Sequence, residues 1–168
     1  MNLDGVQFTC ALFVEKKVLA LITGGSGFVG KHLADHLSDC GDDVLTTDIS
    51  DGGPDLLDQS EMDELILSAQ PQVVYHLAGQ ADVGASWDAP ATTFRINAEG
   101  TLNVLSACRQ AGVERVLTIS SAEVYGKVPH ERLPIDESLP LAPASPYAVS
   151  KAAAEMISIF EASRGLEV

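Results

Sequence analysis

Gly24, Gly27 and Gly30 recur every three residues in the segment Gly24-Gly25-Ser26-Gly27-Phe28-Val29-Gly30. Glycines at such spacing let a chain turn tightly and bring its backbone close to a pyrophosphate at a helix N-terminus. The third lets helix and sheet pack closely. Gly24, Gly27, Phe28, Val29 and Gly30 are therefore candidate cofactor-binding residues, with a plain structural turn as the rival reading. Asp48 follows 18 residues after Gly30. A carboxylate there accepts two hydrogen bonds from an adenosine ribose. Ile49, Ser50 and Asp51 bring no Arg or Lys to meet a ribose 2′-phosphate, so the sequence predicts NAD over NADP. Asp55 and Leu56, in the loop beyond, are candidates to meet the adenine edge and face, with a merely solvated Asp55 in an acid-rich loop as the rival reading.

Tyr147 and Lys151 stand four residues apart at the start of a predicted helix, so they share a face. Ser120-Ser121 closes a predicted strand. Strand and helix are expected to meet at the carboxyl edge of a sheet, where ligands bind in parallel folds. Tyrosine ordinarily titrates near about 10, and a neighbouring ammonium and a cationic nicotinamide ring both favour the phenolate. A shift of about three units corresponds to about 4 kcal/mol of differential stabilisation. Tyr147 then passes a proton to or from a sugar hydroxyl as hydride moves from or to the cofactor. Ser121 hydrogen-bonds the same oxygen, and Lys151 also holds the nicotinamide ribose.

The elements that must position these groups are legible as an alternation. Val18–Ile22 is a continuous apolar run, as in a strand buried on both faces. Phe28–Cys40 has helical apolar spacing, and Gly41 sits where a helix end favours a left-handed residue. Val44–Thr47 reads as the second strand. Ser60, with Asp63 three residues on, opens a helix to Ala69 in a capping-box arrangement. Gln72–Leu77 is a strand. Pro90 leads one long helix to Gln110, and Gly112 stops it. Arg115–Ser120 is a strand, 126–146 a proline-rich loop, and Tyr147–Ser163 a helix. Gly165–Val168 approaches a further strand. The alternation predicts an α/β fold: a doubly wound parallel Rossmann sheet with helices on both faces, truncated before its last strands. Residues 18–168 are then the N-terminal part of a dinucleotide-binding domain, with a C-terminal substrate domain absent. Residues 1–17 form an N-terminal extension of open status: an added strand, a native extension, or an upstream start outside the fold.

Composition narrows the partners. The 168 residues carry 10 basic and 24 acidic side chains, a net charge of −14. Such a surface repels nucleic acid and anionic lipid, so an anionic ligand must be held by local donors. Hydrophobic residues at 46% describe a globular chain. Cys10, Cys40 and Cys108 form no CxxC pair, which argues against a disulfide or zinc scaffold and for a reduced, cytoplasmic setting. The apolar runs Cys10–Val14 and Val18–Ile22 are too short to span a bilayer, and no signal peptide is read. His32 and His36 share a helix face without a third ligand, so no metal site is expected. His76 reads as a packing or loop-fixing residue. Trp87 either lines a sugar pocket or anchors the following helix.

Taken together, Thr23–Gly30, His76-Leu77-Ala78-Gly79, Asn97 with Gly100-Thr101, Ser120–Gly126 and Ser145-Pro146-Tyr147 through Lys151 resemble the extended short-chain dehydrogenase/reductases of the nucleotide-sugar epimerase/dehydratase group. The resemblance covers Val18 to Val168. It implies Ser121, Tyr147 and Lys151 as the catalytic trio. It places Leu77, Ala78 and Gly79 at the cofactor and Asn97 as a support of sheet and cofactor. Within the group, His76–Trp87 and Val124–Glu155 look most like GDP-4-dehydro-6-deoxymannose reductases, which reduce a C4 ketone with the tyrosine as acid. Glu123 matches the family's base position, but Ala122 stands where dTDP-glucose dehydratases place an aspartate, which weakens a dehydratase reading. A 4-epimerase, a 4,6-dehydratase, and a non-catalytic dinucleotide-binding protein or inactive fragment remain as alternatives. The family also implies a homodimer through the helices 90–110 and 147–163.

Overall fold

A computed structural model describes residues 17–168; the extension considered above lies almost wholly outside the described residues. Strand β1 (Leu19–Thr23) is followed by helix α1 (Phe28–Asp39), β2 (Asp43–Thr47), α2 (Gln59–Ala69) and β3 (Val73–His76). Then come α3 (Val83–Asp88), α4 (Pro90–Phe94), α5 (Gly100–Ala111), β4 (Arg115–Thr118) and α6 (Pro146–Ser163). The strands form one parallel sheet in the order β2-β1-β3-β4. The chain reverses its direction of winding between β1 and β3, which opens a crevice at their carboxyl ends. The expected further strand is present as one parallel bridge, Glu167 beside Arg115, with Val116 N–H donating to the Glu167 carbonyl at 2.8 Å.

Strand alternation divides the core. Leu21, Val74 and Val116 point to one face and pack with Met62 and Ile66 of α2 and Val104, Leu105 and Cys108 of α5. Ala20 and Ile22 point to the other, where Leu33, Ala34 and Leu37 of α1 cover them. Helices thus lie on both faces. The α1 layer does not reach β4: Leu117, beside Tyr75 in register, is 47% exposed.

Four local expectations change in the structure. Asp58, not Ser60, caps α2, its Oδ1 accepting from the N–H groups of Ser60 at 2.9 Å and Glu61 at 3.1 Å. The expected single helix from Pro90 to Gln110 is α4 and α5 joined by a π-helical turn, Arg95–Glu99. The short helix α3, capped by Asp82, occupies a stretch read as connecting chain. The predicted strands are also shorter at their carboxyl ends: β3 stops at His76, with Leu77 N–H still donating to the Thr23 carbonyl at 3.1 Å, and β4 stops at Thr118. Pro90 at the first turn and the left-handed Gly112 at the end do bound the 90–111 segment.

Glu161 of α6 is fully buried, and its carboxylate accepts from Arg109 Nε of α5 at 2.9 Å and from Arg164 Nη1 at 2.8 Å. A carboxylate leaves water only when paired in this way. Glu161→Ala is expected to lower unfolding stability by about 3 kcal/mol, the low end for breaking a buried pair because both arginines can rehydrate. Urea denaturation checks it; a change within about 0.5 kcal/mol, as at an ordinary surface position, contradicts it.

Candidate cofactor and active site

The end of β1 turns at Gly24, whose φ of +75° is costly for any residue with a side chain. A Cβ at this position would lie 2.7 Å from the Ala78 backbone N, so the β1 turn and the β3 turn touch because position 24 is glycine. The N–H groups of Gly24 and Gly25 both donate to the Thr47 carbonyl, at 2.9 and 3.1 Å, which ties the loop to the end of β2. A Cβ on Gly30 would run into the Gly24 carbonyl, so the first turn of α1 can press against the loop. No side chain caps α1, leaving its first N–H groups for a ligand.

A cavity of about 550 Å³ opens on this turn. Gly24, Gly27, Phe28, Val29 and Gly30 line it from the loop, Asp48 from β2, Asp55 and Leu56 from the following loop, and Leu77, Ala78 and Gly79 from the end of β3. The predicted cofactor residues of these segments therefore share one crevice at the point where the winding reverses. Its described lining includes Asp48 and Asp55 but no basic side chain. A diphosphate there has backbone N–H groups and the α1 dipole as its donors.

Asp48 Oδ1 accepts from Ser50 N–H at 3.0 Å and Ser50 Oγ at 2.9 Å, while Ser50 Oγ meets Ser26 Oγ of the glycine loop at 2.9 Å. Burial works to raise the Asp48 pKa, but the hydrogen bonds from Ser50 and Ser26 outweigh it and hold the carboxyl below the usual aspartate range. The carboxylate is charged and oriented at the cavity wall. Gln80 was not among the expected residues. Its Nε2 donates to the Asp82 carbonyl at 2.9 Å, while its buried Oε1 has no partner among the described residues. Gln80 lines the cavity, so a ligand hydroxyl or amide can supply the missing donor. The glycine cradle, uncapped helix, ribose-height carboxylate and orphan acceptor together fit a dinucleotide.

Ser121, Tyr147 and Lys151 are not in the described lining of this cavity. Ser145 caps α6, its Oγ accepting from Ala148 N–H at 3.1 Å, and Pro146 opens the first turn. Tyr147 N–H donates to Ser86 Oγ of α3 at 3.2 Å, which fixes the turn that carries the phenol. Ser121 Oγ accepts from Glu123 N–H at 3.2 Å and caps the 3-10 turn Ala122–Tyr125, which packs on α6. It is the Glu123 backbone that engages Ser121, and the Glu123 side chain is exposed. No hydrogen bond joins Ser121, Tyr147 and Lys151 to one another among the described residues. Burial holds the Lys151 ammonium below the usual lysine range.

Asn97, on the π-helical turn, accepts from Gln80 N–H at 2.8 Å through Oδ1 and donates to the Gln80 carbonyl at 3.0 Å through Nδ2. Its Nδ2 also donates to Ser150 Oγ of α6 at 2.9 Å. One amide therefore ties the strand-end turn to α6. His76 is 4% exposed, with Nδ1 at 2.8 Å from Thr23 Oγ1 and Nε2 at 3.1 Å from Thr101 Oγ1. Among the described residues no group of three or more His, Cys, Asp or Glu gathers as a metal site; His32 stacks edge-on against Phe28, and His36 contacts Cys40. No helix of the described residues is long and apolar enough to cross a membrane.

Comparison with known proteins agrees with this geometry. The sequence model of the NAD dependent epimerase/dehydratase family matches residues 20–167. The GDP-6-deoxy-D-mannose reductase of Pseudomonas aeruginosa is 42% identical over 141 residues, covering 82% of this chain and 45% of that protein. The structure of Thermus thermophilus UDP-glucose 4-epimerase in complex with NAD aligns with a TM-score of 0.79 and 36% identity, over 88% of this chain and 52% of that one. The structure of RMD from Pseudomonas aeruginosa complexed with NADPH aligns with a TM-score of 0.76 and 38% identity, over 89% and 50%. The chain thus spans about half the length of the relatives it matches.

Burial, with the Lys151 charge adding to it, pushes the His76 imidazole down from 6.5 to about 4. The unfolded chain therefore binds a proton that the fold excludes between those values. Stability from this group is complete above pH 6.5 and is lost as pH falls towards 4, by roughly 3 kcal/mol in all. The carboxylates with lowered pKa, Asp48, Asp58, Glu99 and Asp136, act below their ordinary values of 3.8 or 4.5, largely outside this window. Urea midpoints across the window are expected to fall in the unmodified chain and to stay flatter in His76→Gln. Equal slopes would show that His76 is not the group responsible.

Proposed function

The chain belongs to the NAD dependent epimerase/dehydratase family, and on that premise we propose that the whole protein is an NAD-dependent nucleotide-sugar oxidoreductase reducing the C4 ketone of a GDP-4-dehydro-6-deoxyhexose. The observation that carries the reading is the single crevice where Gly24, the α1 N-terminus, Asp48 and Ala78 converge, tied through Gln80 and Asn97 to the helix that carries Tyr147 in its first turn and Lys151 in its second. Identity to a GDP-6-deoxy-D-mannose reductase supports the direction and the sugar class.

In this reading the glycine loop and α1 hold the diphosphate, Asp48 the adenosine ribose, and Asp55 and Leu56 the adenine. Leu77–Gly79 and Asn97 shape the wall between the two halves. The bound nicotinamide supplies the hydride. Tyr147 is the acid: its hydroxyl proton goes to O4 as C4 is reduced, and solvent returns a proton to the phenolate. Ser121 donates a hydrogen bond to the same oxygen. Lys151 lies one helical turn from Tyr147 and holds the nicotinamide ribose. Glu123, exposed at the turn after Ser121, orients substrate or serves as a base in the dehydratase alternative.

A nucleotide-sugar 4-epimerase is the second reading, favoured by the likeness to UDP-glucose 4-epimerases. Turnover distinguishes the two, since a reductase consumes one reduced cofactor per sugar and an epimerase regenerates its own. Two copies are proposed to pair through α4–α5 and α6, where Leu102, Met156, Ile159 and Phe160 are exposed. A cytoplasmic setting completes the reading.

In the whole protein, Tyr147→Phe is expected to abolish turnover while NAD binding persists; undiminished turnover ends the mechanism. Ser121→Ala is expected to cost about 2.7–4 kcal/mol in transition-state stabilisation, as for one oxyanion donor. Asp48 predicts tighter binding of NADH than of NADPH. Isothermal titration of both decides, and the NADPH-bound relative makes the contrary result a real alternative.

A further inference from the structure

We propose that His76 is a positioning residue, a neutral imidazole with its proton on Nε2, that couples the wall of the cofactor cavity to the helix turn carrying Tyr147. The inference rests on the cofactor reading given above for what the cavity binds, but its geometry stands on hydrogen counting alone.

Each hydroxyl in the chain of contacts has one proton to give. Thr101 Oγ1 donates its own to the Asn97 carbonyl at 2.6 Å. It can therefore only accept from His76, 3.1 Å away, and Nε2 must carry a proton. On the other side, Ala78 N–H donates to Thr23 Oγ1 at 3.3 Å, and Thr23 lies 2.8 Å from Nδ1. A ring that stays neutral has no second proton, so Thr23 donates to Nδ1. The direction continues beyond Asn97. Its Nδ2 donates to Ser150 Oγ, and Ser150 donates to the Tyr147 carbonyl at 2.7 Å. The hydrogen bonds run in one sense from Ala78 to the Asn97 carbonyl and, across Asn97 itself, from its Nδ2 to the Tyr147 carbonyl.

The two ends matter for function. Thr23 and Ala78 line the cavity, whereas Tyr147 opens α6. His76 itself is buried, does not line the cavity, and reaches it only through Thr23. The charged group acting on the ring is Lys151 of α6, whose ammonium opposes a second proton there. A ligand that moves the Ala78 turn therefore displaces a fully satisfied row of hydrogen bonds, and the row ends on the catalytic turn. A buried network of this kind has one low-energy arrangement, since any broken link strands a polar group away from water.

The test uses ring-nitrogen NMR on the chain, which has four histidines; His76 is assigned by its absence in His76→Gln. The expected spectrum shows Nε2 protonated and Nδ1 bare from about pH 8 to about pH 5. A proton on Nδ1, or a charged ring in that range, overturns the proposal. Thr101→Val keeps the shape and removes the central hydroxyl, while Thr101→Ser keeps the hydroxyl. Without cofactor, Thr101→Val is expected to move the Ser150 and Tyr147 amide resonances, and Thr101→Ser to leave them near their original positions. On titration with NAD, which in the cofactor reading also meets Tyr147 and Lys151 directly, the shifts at Ser150 and Tyr147 should be smaller in Thr101→Val than in the unmodified chain and in Thr101→Ser. In the whole protein, Thr101→Val should lower kcat roughly tenfold to hundredfold with KM little changed, as for a slight misplacement of the reacting groups. Like behaviour of the Val and Ser variants in the amide spectra overturns the coupling. Absence of any NAD-induced shift instead refutes the cofactor reading, and the tautomer and cofactor-free spectra still decide on His76.

Discussion

The backbone of Gly24 approaches that of Ala78 so closely that no side chain fits between them. Both halves of the site derive from that contact. It draws the carboxyl ends of β1 and β3 together where the winding of the sheet reverses. It also brings the uncapped N-terminus of α1 over the crevice. The positive φ at Gly24 has a conformational cost for other residues that glycine largely avoids. The Thr47 carbonyl then takes both loop N–H groups, so the turn is anchored to β2 as well. A dinucleotide site needs a surface of backbone donors held rigid before the ligand arrives. Here the rigidity comes from sterics and from hydrogen bonds made by carbonyls at neighbouring strand ends.

Overall charge works against this site, and local structure overcomes it. A chain of net charge −14 repels a diphosphate at long range. Within a Debye length of about 8 Å, however, oriented N–H groups and a helix dipole dominate over distant carboxylates. Asp48 is the acid closest to the task, and Ser50 and Ser26 keep it ionised and aimed. The same hydroxyls join the glycine loop to the turn after β2. The acidic residue and the phosphate cradle are therefore mechanically one unit, although they come from separate segments of the sequence.

The sheet, the glycine loop, Asp48 and the bounds of α6 were legible in the sequence because each is specified locally. Apolar runs, glycine spacing and Pro146 act within a few residues of themselves. Asp58 as the α2 cap was missed because Asp58, Ser60 and Asp63 all offer cap chemistry, and only the entry path of the chain selects among them. The π-helical turn was missed for a different reason. Residues 90–111 have good helical spacing throughout, and nothing local asks for an extra residue per turn. The requirement comes from outside the helix: the Asn97 amide must reach Gln80 and Ser150 at once, and Gly100 must sit against Leu56. Helix α3 similarly depends on Asp82 and on Ser86, whose hydroxyl serves Tyr147. Gln80 and the Thr23–His76–Thr101 row involve partners tens of residues apart, which periodicity does not register.

Lys151 shows why α6 makes most sense beside a ligand. Its ammonium is partly buried and has no hydrogen bond or ion pair with another described residue, and burial lowers its pKa. A protein interior normally matches such a charge with a carboxylate. In this fold the nearby polar atoms are already committed: Asn97 to Gln80 and Ser150, Ser150 to Tyr147, His76 to two threonines. None of them turns to meet the ammonium. The cost of leaving it unpaired is tolerable if a bound molecule brings the missing oxygens, because the charge then gains in the complex what it lacks without it. Gln80 Oε1 presents the converse case, a buried acceptor without a donor on the cavity wall. One unmatched cation on α6 and one unmatched acceptor on the cavity wall each leave a polar group whose partner a bound molecule can supply.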